Sequence, residues 1–178
     1  RLVLAATLSS NYGIYGPAYE LCEHAAIEGT EEYLHSEKYE IRDWDLDRPG
    51  NLSSLIRRIN AIRRQHPALR QTWNVEFLQA ENDFILFFAK YDDALEDILL
   101  VAVNLDPHHR QSAWLHLPLD EFEIDARQPY MVHDLLGDDK FIWQGPRNLM
   151  EFDPQILPAR IFHLKKRLKR ETDFDYFM

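Results

Sequence analysis

The chain has 178 residues, 46% of them hydrophobic, and a formal net charge of −10. That length and hydrophobic content suffice for one packed domain, or a small domain plus part of another, and exclude a disordered chain. The acidic excess disfavours nucleic acid and anionic membranes as partners. Cys22 is the only cysteine, which excludes an internal disulfide and favours a reducing, cytoplasmic compartment. No apolar run reaches the length of a membrane span.

The first third of the chain is predicted to contain helix, strand, loop and helix. Residues 2–8 form an apolar helical stretch, and Tyr12 to Tyr15 have the character of a short buried strand. A long polar loop then runs from Glu20 to Asn51. Asn51 is a plausible N-cap for the next helix, which we expect to end at Pro67. This order of elements is the unit from which parallel α/β folds are built.

The helix after Asn51 is amphipathic. Apolar residues recur at steps of three and four positions, with arginines largely between them. The apolar positions are Leu52, Leu55, Ile56, Ile59 and Ile62, and the arginines are Arg57, Arg58, Arg63 and Arg64. We interpret the arginines as the solvated face and expect the apolar face to need a partner. Without one, it would form an exposed patch, and we expect either self-association into a homo-oligomer or a disordered amino-terminal third.

After Leu69 the pattern changes to short runs with β character, separated by turn-rich segments such as Leu136 to Asp139. Eight such runs are present: Val75 to Leu78, Phe84 to Lys90, Ile98 to Asn104, Ser112 to Leu117, Tyr130 to Asp134, Phe141 to Gln144, Asn148 to Phe152 and Arg160 to Leu164. Their regular spacing predicts an antiparallel β-sandwich.

Four blocks of sequence resemble a known family. They run from Leu4 to Glu23, from Ser36 to Arg42, from Asn104 to His108 and from Val132 to Leu136. Together they resemble the C-terminal part of the alpha-1,4-glucan:maltose-1-phosphate maltosyltransferases, which belong to the alpha-amylase superfamily of glycoside hydrolases. The similarity extends over nearly the whole chain.

The resemblance implies an α+β fragment: the last strand and helices of a (β/α)₈ barrel, followed by an antiparallel β-sandwich. Residues 1–71 would end the catalytic barrel, residues 72–165 would form the sandwich, and residues 166–178 would be a terminal tail. Sites of such barrels lie at the carboxyl ends of the strands. The loop between Glu20 and Asn51 would therefore border the sugar pocket.

The family transfers a maltosyl unit from maltose 1-phosphate to the non-reducing end of an α-1,4-glucan, with retention of configuration. Retention needs two carboxyl groups about 5–5.5 Å apart. In the family these groups lie on earlier barrel strands, so the resemblance assigns no catalytic residue to this sequence. We expect the chain to be inactive by itself, and expect no nucleic-acid or membrane partner.

Lys38 and Tyr39 match a Lys-Tyr pair that, in the family, contacts the outer glucose ring of the donor. The chemistry suits that role, since an ammonium donates up to three hydrogen bonds and a phenol offers an apolar face with a hydroxyl. Without the resemblance, both would be read as ordinary surface residues. They are the only substrate-binding residues we predict.

Other candidate residues favour structural roles. Trp73, Trp114 and Trp143 are expected to pack in the β region rather than stack on sugars. His108 and His109 have no third ligand at a useful spacing, so no metal site is predicted. Phosphate-binding and nucleotide-binding fingerprints are missing from the sequence, and no cofactor is predicted.

Two alternatives stay open at this point. The whole protein that contains this chain could be another alpha-amylase-type glycosidase or transglycosidase with the same architecture. The β region could instead be a carbohydrate-binding or purely structural module, whose role is to support the barrel.

Overall fold

The computed structural model describes residues 1–34 and 41–166. In this part of the chain, three α-helices come first, and a 3₁₀ helix, Pro67–Arg70, follows them. The α-helices are α1 Leu2–Leu8, α2 Gly16–Glu20 and α3 Ser53–Gln65. No helix within these residues combines the length and the apolar character needed to cross a lipid bilayer.

Within the described ranges, eight strands follow the helices and form two antiparallel sheets. The strands are β1 Val75–Leu78, β2 Ile85–Tyr91, β3 Ile98–Asn104, β4 Gln111–His116, β5 Pro129–Asp134, β6 Lys140–Gln144, β7 Arg147–Phe152 and β8 Ala159–Lys165. Six of them form one sheet in the order β1-β2-β3-β8-β5-β6, and β4 pairs with β7 in the other. Every predicted strand after Leu69 is present, and the predicted antiparallel pairing is confirmed.

Strand β3 lies at the centre of the larger sheet, and all seven of its residues are buried. Successive side chains of a strand point to opposite faces of its sheet. Leu100 and Ala102 belong to the core shared with β4 and β7, whereas Leu99 and Val101 belong to the core shared with the helices. The larger sheet is therefore covered on both faces, by helices on one side and by the two-stranded sheet on the other.

The amphipathic helix α3 packs on the sheet of its own chain. Ile56, Ile59 and Ile62 are buried, together with Leu2 and Val3 of α1. Our expectation of an exposed apolar helix face was therefore wrong. The sequence pattern showed that α3 needs a partner, but it did not show that β3 and β8 supply one.

The predicted strand at Tyr12 to Tyr15 is also wrong. These residues have no regular secondary structure, and within the described ranges no strand pairs with them. A strand depends on a neighbour for its hydrogen bonds, and here side chains hold the segment instead. Tyr12 donates its hydroxyl to Asn60 Oδ1 at 2.7 Å, and Ile14 packs against the helical core.

The start of α3 differs slightly from the prediction. Leu52, not Asn51, is the N-cap residue, and its own side chain makes no capping bond. Asn51 still supplies the chemistry expected of it, because its Oδ1 accepts the backbone N–H of Ser53 at 3.0 Å. The other end is as predicted, with an extended His66 before Pro67.

Arg63 has a role that the sequence pattern did not suggest. Its guanidinium donates to the carbonyls of Ser9, at 3.1 Å, and Ser10, at 2.5 Å, and also to that of Ala6. These carbonyls lie at the end of α1, where helices leave acceptors without internal partners. Arg63 therefore fixes α1 against α3.

Lys90 is fully buried on β2. Its Nζ donates to the carbonyl of Gln71 at 2.5 Å. Burial, with a smaller contribution from Arg63, lowers the pKa of Lys90 from 10.5 to about 8. The fold therefore disfavours the charged, ammonium form of Lys90.

The helix layer can be tested with Ile59→Ala. Ile59 is almost completely buried, so we expect the free energy of unfolding to fall by about 2–5 kcal/mol. Arg57→Ala, two residues earlier on the exposed face of the same helix, is the control and should change it by less than about 0.5 kcal/mol. Urea denaturation measures both. Equal, small effects would mean that α3 does not pack on the sheet.

A second prediction concerns the pH dependence of stability. Between the folded pKa of Lys90 and its higher unfolded value, the unfolded chain holds more protons, so stability rises with pH. Lys90→Met removes this contribution. The stability of Lys90→Met, relative to that of the unsubstituted chain, should therefore be lower at about pH 9.5 than at about pH 7.

Urea denaturation at the two pH values measures that change. Lys140→Met, at an exposed position, is the control and should give the same small difference at both. A difference in the free energy of unfolding between Lys90→Met and the unsubstituted chain that does not vary with pH would contradict the prediction.

Candidate functional site

The loop between α2 and α3 begins and ends at one place. The backbone N–H of Leu52 donates to the carbonyl of Glu20 at 2.7 Å. Glu20 is the last residue of α2, and Leu52 immediately precedes α3. Because α3 packs on the sheet, this bond attaches both ends of the loop to the core of the molecule.

The first half of the loop contains a small hairpin. Ala26 and Tyr33 form an antiparallel bridge, and the N–H of Leu34 donates to Ala25 at 2.8 Å. The turn passes through Gly29 at φ +77°, a conformation that glycine adopts without strain. The ring of Tyr33 stacks on Tyr15 with centroids 5.7 Å apart, so the hairpin lies against the segment that precedes α2.

Arg48 connects the two halves of the loop. Its guanidinium donates to Glu23 Oε1 at 2.9 Å and to the carbonyl of Leu21. The hydrogen bond from Arg48 lowers the pKa of Glu23. Asn51 donates to the carbonyls of Leu46, at 3.1 Å, and Arg48, at 2.7 Å. The half of the loop that precedes α3 is therefore bonded both to the half that follows α2 and to the start of α3.

Lys38 and Tyr39 fall within residues 35–40, outside the described residues. Leu34 and Ile41, which flank that segment, both have exposed side chains. The role of Lys38 and Tyr39 in substrate binding stays a prediction.

An open cleft of about 670 Å³ lies between the loop and α3. Its lining combines acidic, basic, hydroxyl and amide groups with two aliphatic side chains. The lining residues are Glu20, Leu46, Asp47, Asn51, Ser53, Ser54, Ile56, Arg57, Asn60 and Arg64. Such a surface can exchange many hydrogen bonds with a hydroxyl-rich ligand. The sequence pattern treated Arg57 and Arg64 as a solvated face and did not identify them as cleft residues.

The tryptophans of the β region differ in environment. Trp143 is buried, which confirms its predicted packing role, whereas Trp73 is 93% exposed, so packing was wrong there. Trp114 faces outward on β4, but the guanidinium of Arg147 covers its ring at 3.9 Å from the centroid. Glu81 accepts two bonds from that guanidinium, each of 2.7 Å. The hydrogen bonds from Arg147, and then that from His116, lower the pKa of Glu81 to about 2.

These contacts leave Trp114 poorly suited to stack on a sugar ring. A ligand would have to displace Arg147, which an ionised carboxylate holds in place. The cleft beside the loop is therefore the better candidate for a carbohydrate-facing surface.

Comparison with known proteins identifies the family. The family model described as GLGE, C-terminal matches residues 77–164. The alpha-1,4-glucan:maltose-1-phosphate maltosyltransferase of Chlorobaculum tepidum is 47% identical over 170 residues, covering 92% of this chain and 25% of that protein. The chain belongs to this maltosyltransferase family.

Two further relatives agree with this assignment. The enzymes of the same name from Methylacidiphilum infernorum and Myxococcus xanthus are 44% and 43% identical, over 93% and 99% of this chain. The matches cover 25% and 26% of those proteins. The chain therefore spans about a quarter of the length of the curated maltosyltransferases it matches.

Solved structures also share part of the chain's shape. The alpha-amylases of Geobacillus thermoleovorans and Anoxybacillus are 17% and 19% identical to it, and both have a TM-score of 0.48. They cover 65% and 66% of this chain, and the match takes in 23% of each amylase.

The role of Arg48 gives a prediction for the loop. Arg48→Ala removes its bonds to Glu23 and Leu21, so the loop should open more often. We expect hydrogen exchange at the amides of Leu34 and Leu52 to accelerate roughly tenfold, with β3 unchanged. Arg127→Ala, at an exposed site in the β region, is the control. Unchanged loop exchange in Arg48→Ala would show that Arg48 does not hold the loop.

Proposed function

We propose that the chain is the C-terminal part of a retaining maltosyltransferase, which moves maltosyl units from maltose 1-phosphate to α-1,4-glucan. The observation that carries the proposal is 47% identity to the Chlorobaculum tepidum maltosyltransferase across 92% of the chain. That span exceeds the β region matched by the family model and extends to the loop and its flanking helices.

We assign residues 1–71 to the end of the catalytic barrel and residues 72–165 to the C-terminal β domain. Two features support this division. The strands β1 to β8 all follow residue 74, and α1 and α3 together cover one face of the larger sheet. In this arrangement the β domain supports the final barrel helix from behind, while the loop faces the sugar pocket.

The reaction replaces the phosphate of the donor with the hydroxyl of the acceptor glucan at one anomeric carbon. Retention proceeds through two displacements, with one carboxylate as nucleophile and a second carboxyl group as acid and then base. We place both groups outside this chain. The chain alone should therefore not release phosphate from maltose 1-phosphate.

The residues of this chain would bind and orient the donor. We assign Lys38 and Tyr39 to the outer glucose ring, the ring farther from the phosphate. Lys38 would donate hydrogen bonds to hydroxyl groups, and Tyr39 would combine a flat apolar contact with a hydroxyl. Holding the sugar in a reactive geometry reduces the barrier without any chemical step by these side chains.

The alternative of a carbohydrate-binding module has less support. On the two-stranded sheet, Arg147 covers the ring of Trp114, so this sheet offers no open tryptophan face to a sugar. The other alternative is a different alpha-amylase-type glycosidase or transglycosidase, which would use another donor and, for hydrolysis, water as the acceptor.

The test measures phosphate release from maltose 1-phosphate by the whole protein that contains this chain. Release should occur, and Lys38→Ala should lower kcat/KM roughly 10–100-fold because hydrogen bonds from a charged donor are lost. Tyr39→Phe, which keeps the ring and removes the hydroxyl, should have a smaller effect.

Arg127→Ala in the β domain is the control and should leave kcat/KM unchanged. No phosphate release from the whole protein would rule out the maltosyltransferase and favour another glycosidase. Normal kinetics in Lys38→Ala would instead rule out only the assigned donor contact.

A further inference from the structure

Three side chains distant in sequence converge at the edge of the helix layer. His66 is the C-cap residue of α3, Asp97 immediately precedes β3, and His163 lies on β8. One potential ligand atom from each lies within 4.8 Å of the other two. His66 and Asp97 are buried, and His163 is partly buried. The loop and its cleft do not include any of the three.

The carboxylate of Asp97 is the centre of the group. Its Oδ1 lies 2.6 Å from Nδ1 of His66 and 3.7 Å from Nε2 of His163. Its Oδ2 accepts the backbone N–H of Ala68 at 2.9 Å. One carboxylate oxygen is therefore held by the backbone, while the other faces two imidazole rings.

The second distance is too long for a hydrogen bond, but it suits two ligands of one metal ion. Zinc binds histidine nitrogen and carboxylate oxygen at about 2.0–2.2 Å, which puts neighbouring ligands of a tetrahedral ion about 3.4 Å apart. The separation of Asp97 and His163 is close to that value. His66 lies closer to Asp97 than that value, so its ring would need to withdraw by about 0.8 Å when the ion binds.

The surroundings resemble a supported metal site. Backbone amides orient Asp97 on both sides, since the N–H of Ala68 bonds its Oδ2 and its own N–H bonds Asp92 at 3.1 Å. Such outer contacts hold metal ligands in place. The side chain of His163 is 23% exposed, against 10% for His66 and 11% for Asp97, so solvent reaches the group from the β8 side.

We propose that His66, Asp97 and His163 form a binding site for a divalent transition-metal cation of the zinc type. Two imidazoles and one carboxylate are the ligands such ions favour, and the exposed side leaves a fourth position for water. The ion would join the end of α3, the β2–β3 hairpin and β8. It would act as a structural tie, separate from the proposed transfer of maltosyl units.

The affinity should be moderate. The protein supplies three ligands rather than four, and Lys165 adds a positive charge near His163. We therefore expect binding in the micromolar range rather than the far tighter binding of four-ligand structural sites.

The test is calorimetric titration of the chelator-treated 178-residue chain with zinc chloride. One equivalent should bind, and zinc should raise the thermal midpoint. His163→Gln removes one ligand while leaving His66 and Asp97 paired, and it should weaken binding at least tenfold. His109→Gln is the matched control, because His109 forms a similar pair with Asp106 at 3.0 Å, while neither His109 nor the neighbouring His108 belongs to a three-ligand group among the described residues.

Cobalt titration of the unaltered chain provides a second readout that does not depend on a variant. Four- or five-coordinate cobalt should give visible absorption without a thiolate band, since Cys22 is not part of the group. The proposal is overturned if the unaltered chain shows no saturable binding of zinc or cobalt. It is equally overturned if His163→Gln binds zinc as tightly as the unaltered chain does, or if His109→Gln abolishes zinc binding.

Discussion

The burial of the larger sheet on both faces determines how the rest of the molecule is arranged. A sheet with one solvated face would show alternating burial, but β3 is buried along its whole length. The helix-facing residues Leu99 and Val101 require an apolar cover, and α3 supplies it through Ile56, Ile59 and Ile62. Apolar burial stabilises by about 25 cal/mol per Å², so this contact favours the packing of α3 on the sheet.

The position of α3 in turn determines that of the loop. Leu52 bonds to Glu20 at the base, so the loop leaves and re-enters the fold at the start of a helix that cannot shift without uncovering the sheet. Arg48 and Asn51 then hold the half of the loop that precedes α3 through hydrogen bonds. A loop on such a rigid base is suited to positioning a ligand, which is what the proposed donor contact requires.

Local signals in the sequence predicted most of the β region. Alternation, β-branched residues and turn residues act within a few positions, and all eight strands after Leu69 appear close to their expected limits. The errors concern contacts between distant residues. The partner of α3, the three carbonyls bound by Arg63 and the cluster around Asp97 each join segments tens of residues apart, and no periodicity reports such contacts. The strand predicted at Tyr12 failed for the related reason that a strand needs a neighbour.

The candidate site was less predictable than the fold. Glu20 and Asn51, which bound the expected functional loop, lie on the cleft. Arg57 and Arg64 are exposed as predicted, but the helical pattern did not indicate that they also line the cleft. A helical pattern shows which face is polar and not what lies opposite that face. The roles proposed for Lys38 and Tyr39 rest on the family resemblance, because a lysine beside a tyrosine carries no distinctive chemistry by itself.

Native-state hydrogen exchange tests most directly whether the helix layer and the larger sheet form one cooperative unit that supports the loop. We expect the amides of Ile59 and Ile62 to exchange with the same free energy of opening as those of Leu100 and Val101, close to that of global unfolding. Exchange in α3 that is orders of magnitude faster than in β3 would contradict this cooperativity, because the helix would then open while the sheet stays folded.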